Sequence, residues 1–244
     1  MLKMSPRFRW CASALLALGF LLAPSAVYTV AAETIAVIGT GRVGGALGPR
    51  FAKLGHVVIY GSRDPSLEKV QDLVTRTGTN AKATTQYEAA QQADIVVLAV
   101  PWSATEEVVK GMGNLDGKII MDVTNATKFV QGHMEMAVPT SGGELVQSWA
   151  PGASVVKAFN TMGSTVMADP SLAGGPVTVP LAGDDKVAKE RVAEIIQSMG
   201  FETADVGPIR NARVLEHMVI IYLVPMFEGR RDDASEFYFR KTAK

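Results

Sequence analysis

The chain has 244 residues, 48% hydrophobic and 20% charged, the composition of a folded domain with a sizeable core rather than of a disordered segment. Its 24 basic and 24 acidic side chains cancel, so no basic face is implied and a nucleic-acid partner is not expected. The sole cysteine, Cys11, falls in an N-terminal leader, which leaves the rest of the chain without disulfide or thiol chemistry.

That leader opens with Lys3, Arg7 and Arg9, continues in an uncharged apolar run from Ala12 to Ala23, and ends through Pro24 at Val30-Ala31-Ala32. The order is that of a secretory signal peptide with a cut after Ala32. Its apolar core of about 12 residues is short for a membrane span, which needs about 20. Residues 1–32 are read as a signal peptide, the alternative being an uncleaved anchor that would be the chain's one membrane contact. The domain is then expected outside the cytoplasm, periplasmic or secreted; were the start codon misassigned, it would begin near Ala32 in the cytoplasm.

From Glu33 short apolar runs alternate with amphipathic stretches, the mark of a parallel α/β sheet. Strands are predicted over 34–39, 56–61, 81–84, 94–100, 118–123, 154–159 and 176–183. Helices are predicted over 42–54, over 65–76 with Asp64 as its cap and Pro65 at its first turn, and over 86–91. Another runs from Asp184 or Asp185 to about Met199. Residues 124–143, rich in Gly, Ser, Thr and Pro, read as a long loop. A last helix over 209–226 carries Leu215, Met218, Val219, Tyr222 and Leu223 at helical spacing. Residues 33–229 form one domain, with that helix packed on its sheet and a charged tail over 230–244.

Gly39-Thr40-Gly41-Arg42-Val43-Gly44 is a GxGxxG string that ends a predicted strand and opens a predicted helix, the context in which such a string carries meaning. Gly39 permits the tight turn, Gly41 lets the backbone approach a pyrophosphate, and Gly44 allows close helix–strand packing. The helix start then offers free N–H groups to phosphate. The fold expected is a Rossmann-type, doubly wound, mostly parallel α/β sheet, and residues 33–229 become its dinucleotide-binding domain.

The second strand chooses the dinucleotide. NAD-binding domains place a carboxylate near its end for the ribose hydroxyls; here the residues are Gly61-Ser62-Arg63. A hydroxyl donor and a guanidinium fork favour a 2′-phosphate, hence NADP(H). The competing reading pairs Arg63 with Asp64 or Glu68 on the surface.

Ala99-Val100-Pro101-Trp102 closes a central strand at the edge where open α/β sheets bind ligands. Pro101 turns the chain across the cofactor there, and Trp102 either shields the ribose or is packing. Asp122–Asn125 and Lys157–Thr161 end two more strands on this edge, bringing small and polar groups that suit a nicotinamide carboxamide. Of the histidines, His56, His133 and His217, only His133 is a candidate substrate contact, and no cluster has metal-ligand spacing.

The opening unit from Ile35 to Pro65, together with the blocks Val155–Thr161 and Gly207–Glu216, resembles the NADPH-dependent coenzyme F420 (deazaflavin) reductase family of NADP oxidoreductases, whose domain is related to the first domain of pyrroline-5-carboxylate reductases. The resemblance runs from Thr34 to about Leu223. It implies pyrophosphate contacts from Thr40, Gly41, Arg42 and Val43, 2′-phosphate contacts from Ser62 and Arg63, and cofactor contacts near Val100, Val123 and Ala158. A basic residue that members carry just past the Ser-Arg pair has no clear match, since Leu67 precedes Glu68 and Lys69. The resemblance also implies hydride transfer between NADPH and coenzyme F420, a flavin or a similar small-molecule acceptor, with no protein acid or base named for it, and pairing into homodimers. The competing function is a protein that holds NADP(H) without turnover, as a redox sensor. A pyrroline-5-carboxylate reductase would need a long helical domain after the sheet, and too little chain follows Gly183.

Overall fold

The computed structural model describes residues 32–227, 238–240 and 242. The leader, apart from Ala32, and most of the tail lie outside the described residues.

The N-terminal half is a strict alternation: β1 (Thr34–Ile38), α1 (Arg42–Lys53), β2 (Val57–Ser62), α2 (Glu68–Thr77), β3 (Ala81–Thr85), α3 (Gln86–Gln92), β4 (Ile95–Leu98), α4 (Trp102–Gly111) and β5 (Ile119–Asp122). With β8 (Ser154–Lys157) these strands make one sheet, ordered β3-β2-β1-β4-β5-β8, every pair parallel. The order reverses between β1 and β4, and that reversal opens the crevice where such sheets bind ligands. Apart from the edge strand β3, the strands are apolar almost throughout because both faces are covered. Ile35, Val37, Tyr60, Val97, Met121 and Val156 point into a core shared with Leu47 and Phe51 of α1. Ala36, Ile38, Ile59, Val96, Leu98 and Ile120 point into a second, with Ala89, Val108 and Val109.

Several local expectations need correction. The stretch read as a loop over 124–143 contains an antiparallel hairpin, β6 (Thr127–Val130) with β7 (His133–Met136). Gln131 and Gly132 both have positive φ, 48° and 88°, the geometry of a two-residue hairpin turn that glycine makes accessible. Helices α4, α5 (Gly142–Trp149) and α6 (Ser164–Ala168) follow strands where no helix was predicted; each is short. Helix α2 begins at Glu68 rather than Pro65, because Asp64 Oδ1 accepts the N–H and hydroxyl of Ser66 in a local turn instead of capping a helix (3.0 and 2.6 Å).

The strand expected over 176–183 is shorter, β9 (Thr178–Leu181), and pairs outside the main sheet with β10 (Glu202–Asp205), which was not predicted. Pro180 has no N–H to donate, so β9 cannot carry a full ladder on both edges. It meets β8 only at a bridge between Lys157 and Ala182. Between β9 and β10 runs α7 (Lys186–Ser198), capped by Asp185, whose Oδ1 accepts from the N–H groups of Val187 and Ala188. After a 3-10 turn, α8 (Ala212–Phe227) packs on α5 and β7, with Leu215 and Val219 buried. Part of the tail returns: the Phe239 carbonyl accepts from the N–H of Thr178 (2.8 Å).

His56, just ahead of β2, is fully buried, and its Nδ1 accepts the N–H of Glu33 (3.0 Å). Burial pushes its pKa below the ordinary value, with the Glu33 carboxylate opposing and Arg191 reinforcing the shift. The unfolded chain therefore takes up this proton first as pH falls, so the stability His56 contributes is whole above about pH 6.5 and is lost as pH drops toward the lower folded value. Urea unfolding midpoints from pH 7.5 to 5.5 are expected to fall less steeply for His56→Gln than for the wild type. Parallel slopes would reject this.

Candidate cofactor site

Parallel register builds the site. Ile38, Leu98, Asp122 and Lys157 stand in one row across β1, β4, β5 and β8, with Gly61 of β2 opposite Ile38. The next residue of each strand is therefore Gly39, Ala99, Val123, Ala158 and Ser62, one continuous edge.

Gly39 turns the chain at a φ of 112°, where only glycine sits without strain, and a Cβ there would strike the Ala99 carbonyl. Val100 reaches over the same spot, 3.3 Å from that Cβ position, so the β4 end lids the first turn. Gly44 abuts the Gly39 carbonyl too closely for any side chain, which is the tight helix–strand approach expected of the third glycine. At Gly41 nothing lies within 4 Å of a notional Cβ, and α1 starts there without a side-chain cap. The first N–H groups of α1, from Arg42 and Val43 onward, thus meet an open approach, and they carry the positive end of the helix dipole. These features fit a pyrophosphate.

At the end of β2, Ser62 is buried, and its Oγ donates to the Asp64 carbonyl (3.0 Å) and accepts the Asp64 N–H (3.2 Å), which folds the loop so that Arg63 stands out from the edge. Among the described residues Arg63 forms no ion pair with Asp64 or Glu68. The Asp64 carboxylate is held by Ser66, whose hydroxyl and N–H draw its pKa down. Among the described residues no carboxylate occupies the place of a ribose-binding acid at the end of β2.

Pro101 is exposed at the N-cap of α4. Trp102, half-buried, stacks on Trp149 of α5, centroids 5.8 Å apart, and lies against Gly142. Val123 and Ala158 are buried, 6% and 0% exposed, their N–H groups bonded to the Leu98 and Asp122 carbonyls, so the expected cofactor contact at Ala158 has no open surface at this edge and Val123 presents little. His133 lies exposed at the hairpin turn and His217 on α8 bonds the Arg213 carbonyl. Among the described residues no group of His, Cys and carboxylates could hold a metal.

Beneath this edge is a feature the sequence reading missed. Lys157 Nζ, 0% exposed, contacts Asp122 Oδ2 (2.6 Å), Glu216 Oε1 (2.8 Å) and the Thr124 carbonyl (2.8 Å). Burial alone would lower the lysine pKa, but the two carboxylates override it and hold the ammonium above its ordinary value. Glu216 also accepts the N–H groups of Ala126 (3.2 Å), Gly142 (2.8 Å) and Gly143 (3.0 Å). One α8 side chain thereby pins the base of the hairpin excursion and caps α5. Beside it, Asn125 Nδ2 donates to the Asn160 backbone carbonyl (3.1 Å) and Asn160 Nδ2 donates to Asn125 Oδ1 (2.9 Å). The available signal was a charge inside each of three apolar runs, Asp122, Lys157 and Glu216.

A family profile described as NADP oxidoreductase coenzyme F420-dependent matches residues 34–126, which contain the glycine turn, Ser62-Arg63 and β4 to β5. A solved structure from Arthrobacter sp. FB24, provisionally described as an F420-dependent NADP reductase, superposes with a TM-score of 0.77 at 30% identity, over 86% of this chain and 100% of that one. The chain belongs to this F420-dependent NADP oxidoreductase family. The F420-dependent NADP reductase of Methanothermobacter marburgensis is 29% identical over 75% of this chain and 87% of its own. Metalloreductase STEAP3 of Rattus norvegicus is 30% identical over 76% of this chain, but the match spans 36% of that longer protein. Family membership thus covers the cofactor half of the site and the fold of the remainder.

Proposed function

We propose that the protein is an NADP(H)-dependent oxidoreductase that moves hydride between NADPH and a deazaflavin such as coenzyme F420, a flavin or a similar small acceptor. The observation that carries this reading is the pairing of an uncapped, open start of α1 with Ser62-Arg63, where an NAD site would keep a carboxylate. The relatives named as F420-dependent NADP reductases support it.

The bound nicotinamide would supply the hydride chemistry; the chain's own residues bind, orient and exclude water. N–H groups at the start of α1 hold the pyrophosphate, Arg63 holds the 2′-phosphate, and Val100 and Pro101 cover the middle of the dinucleotide. Val123, the residue after β5, lies on the same edge toward the nicotinamide end. Fixing donor and acceptor in contact removes the entropic cost of their meeting, the main contribution such a site can make.

Titration with NADPH and NADH followed by stopped-flow mixing with F420, FMN and FAD tests the reading. NADPH is expected to bind more tightly and to be oxidised by at least one acceptor. Tight NADPH binding with no oxidation would favour the non-catalytic sensor, and equal affinity for the two nucleotides would overturn the cofactor assignment.

A further inference from the structure

The end of the sheet opposite the cofactor edge holds a buried histidine that hydride transfer does not use. His56 stands just before β2, its N–H donating to the Phe51 carbonyl (3.2 Å) and its carbonyl accepting from Asn80 Nδ2 (2.7 Å). Its ring Nδ1 accepts the backbone N–H of Glu33 (3.0 Å), which places the ring proton on Nε2. That Nε2 is buried and has no hydrogen-bond partner among the described residues. A buried polar atom left unpaired is costly, and an apolar side chain of similar size would avoid the cost. What an imidazole adds at this position is the acceptor at Nδ1.

Glu33 is tied at each of its groups. Its carbonyl accepts the Val57 N–H (2.9 Å), and its carboxylate is gripped by the Arg191 guanidinium of α7. The next N–H, of Thr34, donates to Asp94 Oδ2 (2.9 Å). One residue earlier, Ala32 is exposed. The anchored chain thus starts at Glu33, the residue that follows the Val30-Ala31-Ala32 cleavage pattern. A local sequence pattern and a set of long-range hydrogen bonds pick the same peptide bond.

Hydrolysis of that bond by a signal-peptidase-type protease adds water across it: Ala32 leaves with a carboxylate, and the Glu33 nitrogen becomes an α-ammonium. A charged donor makes a hydrogen bond about twice as strong as a neutral one. One ammonium proton stays on His56 Nδ1, and the others face the side that Ala32 has left, where water reaches them. The cation facing this seat, Arg191, is neutralised by the Glu33 and Glu194 carboxylates, the latter at 3.0 Å.

We propose that His56 is the receptor for the mature amino terminus: cleavage after Ala32 frees an α-ammonium that seats on His56 Nδ1 and fastens the start of β1 to β2. The proposal rests on reading residues 1–32 as a cleaved leader and is independent of the cofactor assignment.

For the test, the full 244-residue chain is exported from a bacterial host and its amino terminus identified by mass spectrometry. Acetylation with an N-hydroxysuccinimide ester at pH 7, where α-amines of ordinary pKa about 7.7–8.0 react ahead of lysines, then reads how free that amine is. The terminus is expected at Glu33, its amine reacting about 10-fold more slowly in the folded protein than in the same protein in urea. His56→Leu should bring the folded rate within about threefold of the urea rate, and His56→Gln, which keeps an acceptor, should retain most of the protection. NADPH affinity serves as the check that each variant is folded, since the seat lies away from the cofactor edge. A terminus at any other residue overturns the proposal together with the leader reading. A Glu33 amine that reacts as fast folded as in urea, or protection undiminished in folded His56→Leu, overturns the receptor and leaves the leader reading standing. Should His56→Leu fail to fold, the wild-type comparison and the glutamine variant decide.

Discussion

Replacing Arg63 by alanine is expected to weaken NADPH binding about 30-fold while leaving NADH within about twofold. A hydrogen bond to a charged group contributes about 1.5–3 kcal/mol, and about 2 kcal/mol corresponds to that ratio. Arg63 is exposed, so solvent screens it, and the loss should shrink as salt is raised. Among the described residues it forms no ion pair to be broken by the substitution, which directs the effect to the ligand. Ser62→Asp should act more strongly, since a carboxylate at the β2 edge repels a 2′-phosphate and accepts from ribose hydroxyls, moving preference toward NADH. Fluorescence titration of both reduced nucleotides against both variants decides it. An unchanged NADPH-to-NADH ratio in Arg63→Ala would remove the electrostatic basis of the cofactor assignment.

The largest loss of stability is expected from Lys157→Met. It would leave Asp122 and Glu216 buried without their cation, a change that typically costs about 3–5 kcal/mol. For a domain of this size that lowers the melting temperature by roughly 10 °C. Because Lys157 is held above its ordinary pKa of 10.5, its contribution is whole below that value and is lost as pH climbs through the higher folded one. Wild type should therefore lose stability above about pH 10.5 more steeply than Lys157→Met. Glu216→Gln should also destabilise, and it should further loosen the hairpin, since Ala126 and Gly142 share its Oε2. Hydrogen exchange at those two amides reads this directly. A melting temperature within about 2 °C of wild type for Lys157→Met would show the cluster to be energetically idle.

The part of the site that a local stretch encodes was legible in the chain. Gly39, Gly41 and Gly44 each have a backbone task that their spacing states, and Ser62-Arg63 announces itself because a strand end shows a guanidinium where a carboxylate is usual. Apolar runs gave five of the six parallel strands for the same reason: strands buried on both faces cannot hide their composition, whereas the edge strand β3, AKATT, has no buried residue. The short helices α4 and α5 were missed, since two or three turns that borrow their stability from Trp102–Trp149 stacking and Glu216 capping leave little periodicity to read. The hairpin was missed because its turn is Gln131-Gly132 rather than a stronger signal, within a stretch whose composition reads as loop.

By itself, the sequence determined the Rossmann start, the presence of Ser62-Arg63 where a ribose-binding acid is usual, and most of the apolar strands, all of which follow from neighbours along the chain. Only the tertiary structure decided that β9 leaves the main sheet, that Asp122, Lys157 and Glu216 meet, and that His56 receives the Glu33 N–H. Those outcomes depend on which elements pack together across long separations, and a charge carries no mark of its partner until the fold removes the water between them.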